Sequence, residues 1–119
     1  MQDRHTTIQM IKQKVAEFNQ ERDWGQFHSP RNLSMALNVE ASELMELFLW
    51  SRDDGPQPPV DSRKQQVEEE AADVMICLLN FCLQMNLDLA AAVDRKLIQN
   101  AEKYPVEKAK GRSEKSHEL

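Results

Sequence analysis

The 119-residue sequence contains only two cysteines and three glycines. It therefore lacks the composition that is typical of disulfide-rich proteins and of proteins with glycine-rich phosphate loops, and it also lacks the long apolar runs of membrane proteins. Cys77 and Cys82 are five positions apart, so on a helix their side chains point about 140° away from each other. This spacing excludes a local disulfide and also lacks the CxxC pattern of a metal site. Buried, reduced thiols are expected, which is typical of a cytoplasmic protein.

Long hydrophobic runs and excess positive charge are absent as well. The most apolar stretch, Val74 to Leu83, is ten residues long and contains Asn80, whereas a membrane span needs about twenty residues. Fifteen basic and twenty acidic residues give a net charge of −5. This balance argues against partners that are nucleic-acid polymers or anionic membranes. The three glycines form no GxxxxGK or GxGxxG motif, so a phosphate-cradling loop of those types is excluded.

Apolar residues at helical spacing and a few capping signals predict four helices and no strand. Ser29 followed by Pro30, Ser62 with Gln65 in a capping box, and Asp88 mark three helix starts. The segment SRDDGPQPPVD at 51–61 is rich in proline and is predicted to be neither helix nor central strand. The predicted helices run from Thr6 to Arg22, from Pro30 to about Trp50, from Ser62 to about Asn86, and from Asp88 to just before Pro105.

These helices predict an all-α, four-helix bundle protomer. One domain is expected over residues 1–105, followed by a polar, flexible tail at 106–119. The second half of the third helix is apolar almost all round, so it is predicted to be the most buried helix.

Acidic side chains lie within the apolar faces of two predicted helices. On a helical wheel Glu40 falls inside the apolar stripe of the second helix, and Glu43 lies at its edge. Glu70 and Asp73 repeat the arrangement on the third helix. Four carboxylates turned toward a core require cations, because unpaired buried charges are very costly. A ligand set made only of oxygen atoms predicts Mg²⁺, with Mn²⁺ as a substitute.

The fourth predicted helix carries groups that complement such a site. Lys96, Asn100 and Lys103 share its inward stripe, and Tyr104 lies at the stripe edge. Carboxylate-bound Mg²⁺ beside lysines is a typical arrangement for holding phosphates. Structural ion pairs between these lysines and the acids are the plainer interpretation, although buried ion networks often contribute little net stability.

Aromatic residues cluster near the start and the end of the second helix. Trp24 and His28 lie in the loop before it, and Trp50 ends it. Such residues often only complete a core, but beside a phosphate site they also suit stacking on a nucleobase.

The ordered motifs ERDWGQFHSPRN, ELMELFLW, EEEAADV and KLIQNAEKYP resemble those of the MazG-like all-α nucleoside triphosphate pyrophosphohydrolases, and most closely the dCTP pyrophosphatase branch. The resemblance covers about Glu17 to Pro105. It implies hydrolysis of a deoxynucleoside triphosphate to monophosphate and pyrophosphate, by a homodimer or homotetramer. The chain departs from the wider family at Val39, as the dCTP branch also does, and from the dCTP branch itself at Cys77. Val39 replaces the first glutamate of the wider family's EExxE motif, and Cys77 replaces a tyrosine of the base pocket, so base preference stays open.

The resemblance also implies roles for individual residues. Mg²⁺ would be held by the four carboxylates, with Glu43 or Glu70 activating the attacking water. A nucleotide sensor without catalysis and a helical interaction module are the alternatives. The implied metal ligands are Glu40, Glu43, Glu70 and Asp73; the implied base and sugar pocket is Trp24, His28 and Trp50; and the implied phosphate-facing residues are Lys96, Asn100, Lys103 and Tyr104.

Overall fold

The chain is all-helical, with no strand among residues 1–50 and 60–119, which are the residues described in this computed structural model. The predicted all-α class is therefore confirmed. The prediction of four helices is wrong, because one more helical turn forms in the segment predicted to be a tail. There the Pro105 carbonyl accepts hydrogen bonds from the backbone N–H groups of Lys108 and Ala109. The helices are α1 (Ile8–Glu21), α2 (Pro30–Glu46), α3 (Val60–Met85), α4 (Leu89–Lys103) and α5 (Val106–Ala109).

Side-chain caps define the first residues of three helices. The Thr7 hydroxyl accepts a hydrogen bond from the Met10 N–H at 3.1 Å, before α1. Ser29 does the same for the Asn32 N–H at 3.0 Å, with Pro30 as the first residue of α2. Asp88 accepts from the Ala91 N–H at 3.0 Å, before α4. Two of these caps, Ser29 and Asp88, were predicted from the sequence and are confirmed.

The end of α2 and the start of α3 differ from the prediction. After Glu46 the backbone makes three successive i→i−3 hydrogen bonds, ending with the Leu49 N–H on the Glu46 carbonyl. These bonds tighten the chain, so α2 ends before Trp50. Arg63 donates to the Leu47 carbonyl at 2.6 Å, which satisfies one of the free carbonyls there. Helix α3 begins at Val60, so the predicted cap at Ser62 is wrong, since the helix-breaking prolines end at Pro59. The proline-rich residues 51–59 lie outside the described residues.

The first of two compact units, Met1–Asn86, has its core where α3 packs extensively against α2 and less extensively against α1. Leu79 and Cys82 of α3 are the most fully buried side chains of this core, which also contains Val15 and Leu33. The prediction that α3 is the most buried helix is confirmed among the described residues, since Leu79, Asn80 and Cys82 in its second half are all buried. Ile76 remains 41% exposed, because the two helices that pack on α3 in this unit cannot surround it.

The second unit, Leu87–Leu119, contains α4, α5 and a 3₁₀ turn at Ser116–Glu118. The Ser116 N–H donates to the Tyr104 hydroxyl at 3.3 Å, which ties the C-terminal segment to the end of α4. The inward stripe predicted for α4 is not buried within this unit. Val93 is 48% exposed, and Lys96 and Lys103 are exposed as well, because the short elements that follow α4 are too small to cover it.

The sequence argued against a local disulfide and against a membrane span, and both can be compared with the described residues. Cys77 and Cys82 are both free thiols, Cys82 buried and Cys77 half-buried. No single helix in the described part of the chain is long and apolar enough to cross a membrane, although α3 and α4 taken together meet that criterion by length and composition.

The Ser29 cap provides a test of the fold. Replacing Ser29 with Ala should lower the free energy of unfolding by about 1 kcal/mol, because the Asn32 N–H loses its acceptor. Ser34→Ala in the same helix is the matched control, since the Ser34 hydroxyl only donates back to the Arg31 carbonyl. Urea unfolding followed by circular dichroism measures both variants. Equal stability of the two would show that the cap does not contribute.

Candidate functional site

Three glutamates of α2 and α3 form a compact cluster. Glu40 and Glu43 lie one turn apart on α2, which places them on neighbouring positions of one helix face. Glu70 comes from α3, which packs along α2. One carboxylate oxygen from each of the three lies within 4.8 Å of the others. The contact between the two helices therefore assembles acidic groups that are thirty residues apart in the sequence.

Two oxygen atoms of this cluster are buried without a hydrogen-bond partner. They are Oε2 of Glu40 and Oε2 of Glu70, and both side chains are half-buried. Buried polar atoms in proteins are nearly always paired, and an unpaired charged oxygen is especially costly. The position of these two atoms thus points to a ligand that supplies positive charge.

The pKa shifts within the cluster also indicate that it requires a positively charged ligand. Burial, the hydrogen bond with Glu43 and the charges of neighbouring acids all raise the pKa of Glu40 above its usual value of 4.5. Burial, followed by the Glu43 charge, raises the pKa of Glu70 from the same value. A raised carboxyl pKa means that the folded chain disfavours the ionised form. A bound cation would reverse this preference.

Asp73 lies one turn after Glu70 on α3 and is exposed. Its charge contributes to the raised pKa values of both Glu40 and Glu70, so it belongs to the electrostatic surroundings of the cluster. Burial, together with the charges of Glu40 and Asp73, also raises the pKa of the Cys77 thiol. Cys77 therefore faces the same acidic region in its neutral form.

The residues of the cluster fit a hard divalent cation. All of the donors are carboxylate oxygens, two of which are buried and unpaired. Mg²⁺ and Mn²⁺ prefer such ligands, whereas softer metals prefer histidine or cysteine. Glu40, Glu43 and Glu70, with Asp73 nearby, are thus the residues that could hold the ion.

The predicted aromatic loop contains a short 3₁₀ helix, Trp24–Phe27. The chain enters it through Asp23, whose φ of 51° lies in the left-handed region that aspartate tolerates. Gln26 Nε2 stabilises this turn by donating to the Asp23 carbonyl at 3.0 Å and to its carboxylate at 3.2 Å. Trp24 packs edge-on against Phe18 with ring centroids 5.5 Å apart, yet it stays 44% exposed. Trp24 thus has a fixed orientation and an accessible surface.

Of the predicted site residues, three glutamates come together within the unit Met1–Asn86. Glu40, Glu43 and Glu70 meet, while Trp50 is 91% exposed and His28 is half-buried beside the 3₁₀ helix. The four residues predicted to face phosphates belong to the unit Leu87–Leu119. There the two lysines are exposed and the other two side chains are half-buried; the four are Lys96, Lys103, Asn100 and Tyr104.

One polar contact between α1 and α3 was missed by the sequence analysis. Asn19 Nδ2 of α1 donates to Asn80 Oδ1 of α3 at 2.7 Å, and Asn80 is only 8% exposed. The available signal was the presence of Asn80 inside the apolar run Val74–Leu83, which the sequence analysis used only to argue against a membrane span. Its partner could not be identified from the sequence, because it lies sixty-one residues away.

The comparisons with known proteins are consistent in what they find. The MazG-like family model matches residues 35–119. The chain is 42% identical over 115 residues to dCTP pyrophosphatase 1 of Homo sapiens, an alignment that covers 95% of this chain and 68% of that protein. It is 42% identical over 107 residues to dCTP pyrophosphatase 1 of Rattus norvegicus, covering 88% of this chain and 63% of that protein. The chain thus spans a little under two thirds of the rat relative's length.

A solved structure gives the same result for the fold. The chain is similar to the crystal structure of a pyrophosphatase from Archaeoglobus fulgidus, with a TM-score of 0.75 and 33% sequence identity. The similarity covers 88% of this chain and 98% of that chain. These findings confirm the resemblance carried by the sequence motifs. The chain belongs to the MazG-like family.

Proposed function

We propose that the chain is a Mg²⁺-dependent pyrophosphohydrolase of deoxynucleoside triphosphates, which converts a dNTP and water into a dNMP and pyrophosphate. The observation that carries this proposal is the cluster of Glu40, Glu43 and Glu70, with its two buried and unpaired carboxylate oxygens. The names of the relatives, dCTP pyrophosphatase and pyrophosphatase, support the same reaction class. dCTP or a modified dCTP is the favoured substrate on that basis.

The four acidic residues Glu40, Glu43, Glu70 and Asp73 are the proposed metal ligands. When bound, Mg²⁺ or Mn²⁺ would supply the positive charge that phosphate oxygens require in such a reaction. The ligand residues contribute by holding that charge at a fixed place between α2 and α3. The carboxylates repel one another, and a bound cation would relieve that repulsion. The site therefore favours a cation over an anionic ligand.

A carboxylate of the same cluster is the proposed general base. Glu43 and Glu70 are the candidates, because either could accept a proton from the attacking water. Burial and the Glu43 charge raise the pKa of Glu70 without metal, and a bound cation would lower it again, so Glu70 would be ionised and able to accept the proton. The charge of Glu43 contributes to the raised pKa of both Glu40 and Glu70, so Glu43 interacts electrostatically with both neighbours.

The remaining predicted residues are proposed to bind the nucleotide. Trp24, His28 and Trp50 would hold the base and sugar, since exposed aromatic surfaces favour stacking on bases. Phosphate binding stays a prediction for four residues of the unit Leu87–Leu119. They are Lys96, Asn100, Lys103 and Tyr104.

The proposed setting is the cytoplasm, where free thiols such as Cys77 and Cys82 remain reduced. Removal of particular dNTPs from the nucleotide pool, for control or for sanitation, is the role such an activity would serve. The partner is the nucleotide itself, with no nucleic-acid polymer and no membrane involved.

We also propose that the protomer forms a homodimer or a homotetramer. The unit Met1–Asn86 has a small core, while an apolar groove of about 340 Å³ lies between α1 and α3. Phe18, Met75 and Ile76 line it and are 45%, 38% and 41% exposed. A connected apolar surface of this kind is typical of a protein interface.

The catalytic proposal can be tested with Glu70→Gln. We expect release of pyrophosphate from dNTPs to fall by about a hundredfold or more, because the variant loses a metal ligand and a candidate base. Glu46→Gln is the matched control, since Glu46 is exposed and lies outside the cluster. The assay detects pyrophosphate and orthophosphate separately, with Mg²⁺ and each of the four dNTPs.

Three results would contradict the proposal. A folded Glu70→Gln protein with wild-type turnover would exclude the carboxylate scheme. Orthophosphate as the only product would place the cleaved bond elsewhere in the triphosphate. A wild-type protein that Mg²⁺ and nucleotide stabilise, but that forms no product, would be a nucleotide sensor.

The repulsion within the cluster predicts how stability depends on pH without metal. Because the folded state raises the pKa of Glu40 above 4.5, protonation of this group favours folding. That contribution is present below pH 4.5 and is lost as the pH rises through the raised pKa. In metal-free buffer the melting temperature of Glu40→Gln should therefore exceed that of the wild type by a margin that grows with pH. Adding Mg²⁺ should raise the melting temperature of the wild type and reverse this order.

Glu46→Gln again provides the control for the melting experiment, because it changes the net charge equally outside the cluster. Two results would refute the metal site. One is a difference in melting temperature between Glu40→Gln and the wild type that is the same at all pH values, and the other is a wild-type melting temperature that Mg²⁺ does not change. Differential scanning fluorimetry after treatment with a chelator measures all of these values.

The proposed assembly predicts a mass in solution of two or four protomers. Sedimentation velocity of the wild type should show a dimer or tetramer, and Ile76→Asp should shift the population toward the monomer, because it places a charge in the apolar groove. Gln13→Asp, on an exposed position of α1, is the control. A wild type that sediments as a monomer at micromolar concentration would contradict the proposal.

A further inference from the structure

A cavity of about 350 Å³ lies between α1, the 3₁₀ helix and the C-terminal half of α3, within the unit Met1–Asn86. Most of the residues that line it have polar side chains, and Ala16 and Leu83 add apolar surface. We call it the amide cavity. The residues that define it are Asn19, Asp23, Gly25, His28, Asn80 and Gln84.

The Asn19–Asn80 amide pair forms the buried wall of the amide cavity. Asn80 is 8% exposed and lies beside the fully buried Leu79. A buried amide must be hydrogen-bonded to avoid a large desolvation cost. The bond from Asn19 Nδ2 to Asn80 Oδ1, 2.7 Å long, uses one donor and one acceptor. Within residues 1–50 and 60–119 these two amides make no other hydrogen bond, so Asn80 Nδ2 and Asn19 Oδ1 are left as a donor next to an acceptor.

The amide cavity lies at a suitable distance from the carboxylate cluster. Asn80 comes ten residues after Glu70 of the cluster, about 15 Å along the axis of α3, and seven residues after Asp73, with which it shares a helix face. That separation is comparable to the distance between the phosphates and the base of an extended nucleoside triphosphate. A nucleotide with its phosphates at the carboxylates can therefore extend along α3 and place its base at the amide cavity.

We infer that the Asn19–Asn80 amide pair contacts the hydrogen-bonding edge of the nucleobase and determines which base is hydrolysed. This inference rests on the proposed function and adds the residues that set its specificity. An adjacent donor and acceptor complement a base edge that presents an acceptor beside a donor, as the ring nitrogen and amino group of cytosine do.

Hydrogen bonding by the amides distinguishes one base from another better than stacking on the aromatic residues does. Stacking on Trp24 is tolerant of sequence, because every base has a π-face. A hydrogen-bonding site rejects a mismatched base more strongly, since its own buried polar groups are then left unpaired. His28 lines the same cavity and is positioned to contact the sugar or base beside the amide pair.

The first experiment compares kcat/KM for the four dNTPs in the wild type, Asn19→Ala and Asn80→Ala. We expect the ratio between the preferred and the least preferred dNTP to fall about tenfold in each variant, because the preferred base loses a hydrogen bond. Asn38→Ala is the matched control, since Asn38 is an exposed asparagine on α2 outside the amide cavity. Its ratio should equal that of the wild type.

Two kinetic results would overturn the inference. An equal fall in kcat/KM for all four dNTPs would show that the amide pair only supports the fold. Unchanged ratios in a folded Asn19→Ala protein would show that the base is read elsewhere. Asn19 is half-buried whereas Asn80 is buried, so Asn19→Ala keeps the test decisive if Asn80→Ala fails to fold.

A binding measurement on the wild type separates this inference from the proposed function. The side-chain amide signals of Asn19 and Asn80 are followed by ¹⁵N NMR while each dNMP is added. We expect both signals to shift with the preferred base, while the Asn38 signal stays unchanged. Absence of any shift would refute the inference even if the enzyme is active. A wild type that hydrolyses no dNTP would refute the proposed function, and the shifts would still decide whether the amide cavity binds the base.

Discussion

The mutual repulsion of carboxylates between α2 and α3 is the constraint on which the rest of this structure depends. Helix packing forces Glu40, Glu43 and Glu70 together, and two of their oxygens lose both water and hydrogen-bond partners. In a metal-free fold this cost is reflected in the raised pKa values of Glu40 and Glu70, which burial and the neighbouring acids cause. The same cost would favour cation binding, so the repulsion within the cluster and its proposed affinity for metal have one origin.

The middle and the C-terminal part of α3 serve different chemical needs. Near Glu70 the helix contributes anionic oxygens, which suit a hard cation and the phosphates it attracts. About three turns further on, Asn80 contributes a neutral amide, which suits a base edge and does not repel it. A single rigid helix thus holds charge recognition and base recognition at a fixed separation. Rigidity matters here, because a shift in either part would change where the substrate lies relative to the proposed general base.

The unusual distribution of apolar residues has a related explanation. In each unit several large apolar side chains remain exposed, among them Ile76 on α3 and Val93 on α4. A small protomer that devotes part of its interior to acids and amides has fewer positions for a hydrophobic core. Burial between protomers would supply the missing apolar contact, which links the proposed assembly to the presence of a polar site inside the unit.

Much of the architecture could be predicted from local chemistry. The caps at Ser29 and Asp88 and the helical spacing of apolar residues depend on neighbours within four positions, so the sequence alone indicated them. The wheel positions of Glu40 and Glu70 likewise follow from helix geometry. The early end of α2 did not follow, because it is accompanied by a hydrogen bond from Arg63, sixteen residues from Leu47.

Contacts between distant segments were decided only by the tertiary structure. Packing of α2 on α3 determines that Glu43 joins Glu40 and Glu70, and packing of α1 on α3 determines that Asn80 pairs with Asn19. The extent of burial was also decided only by tertiary packing. Ile76 has the sequence context of a core residue and yet is 41% exposed. The sequence by itself determined which residues were chemically capable of forming a site. The tertiary structure decided which of them meet, because distances across helices depend on packing and not on spacing along the chain.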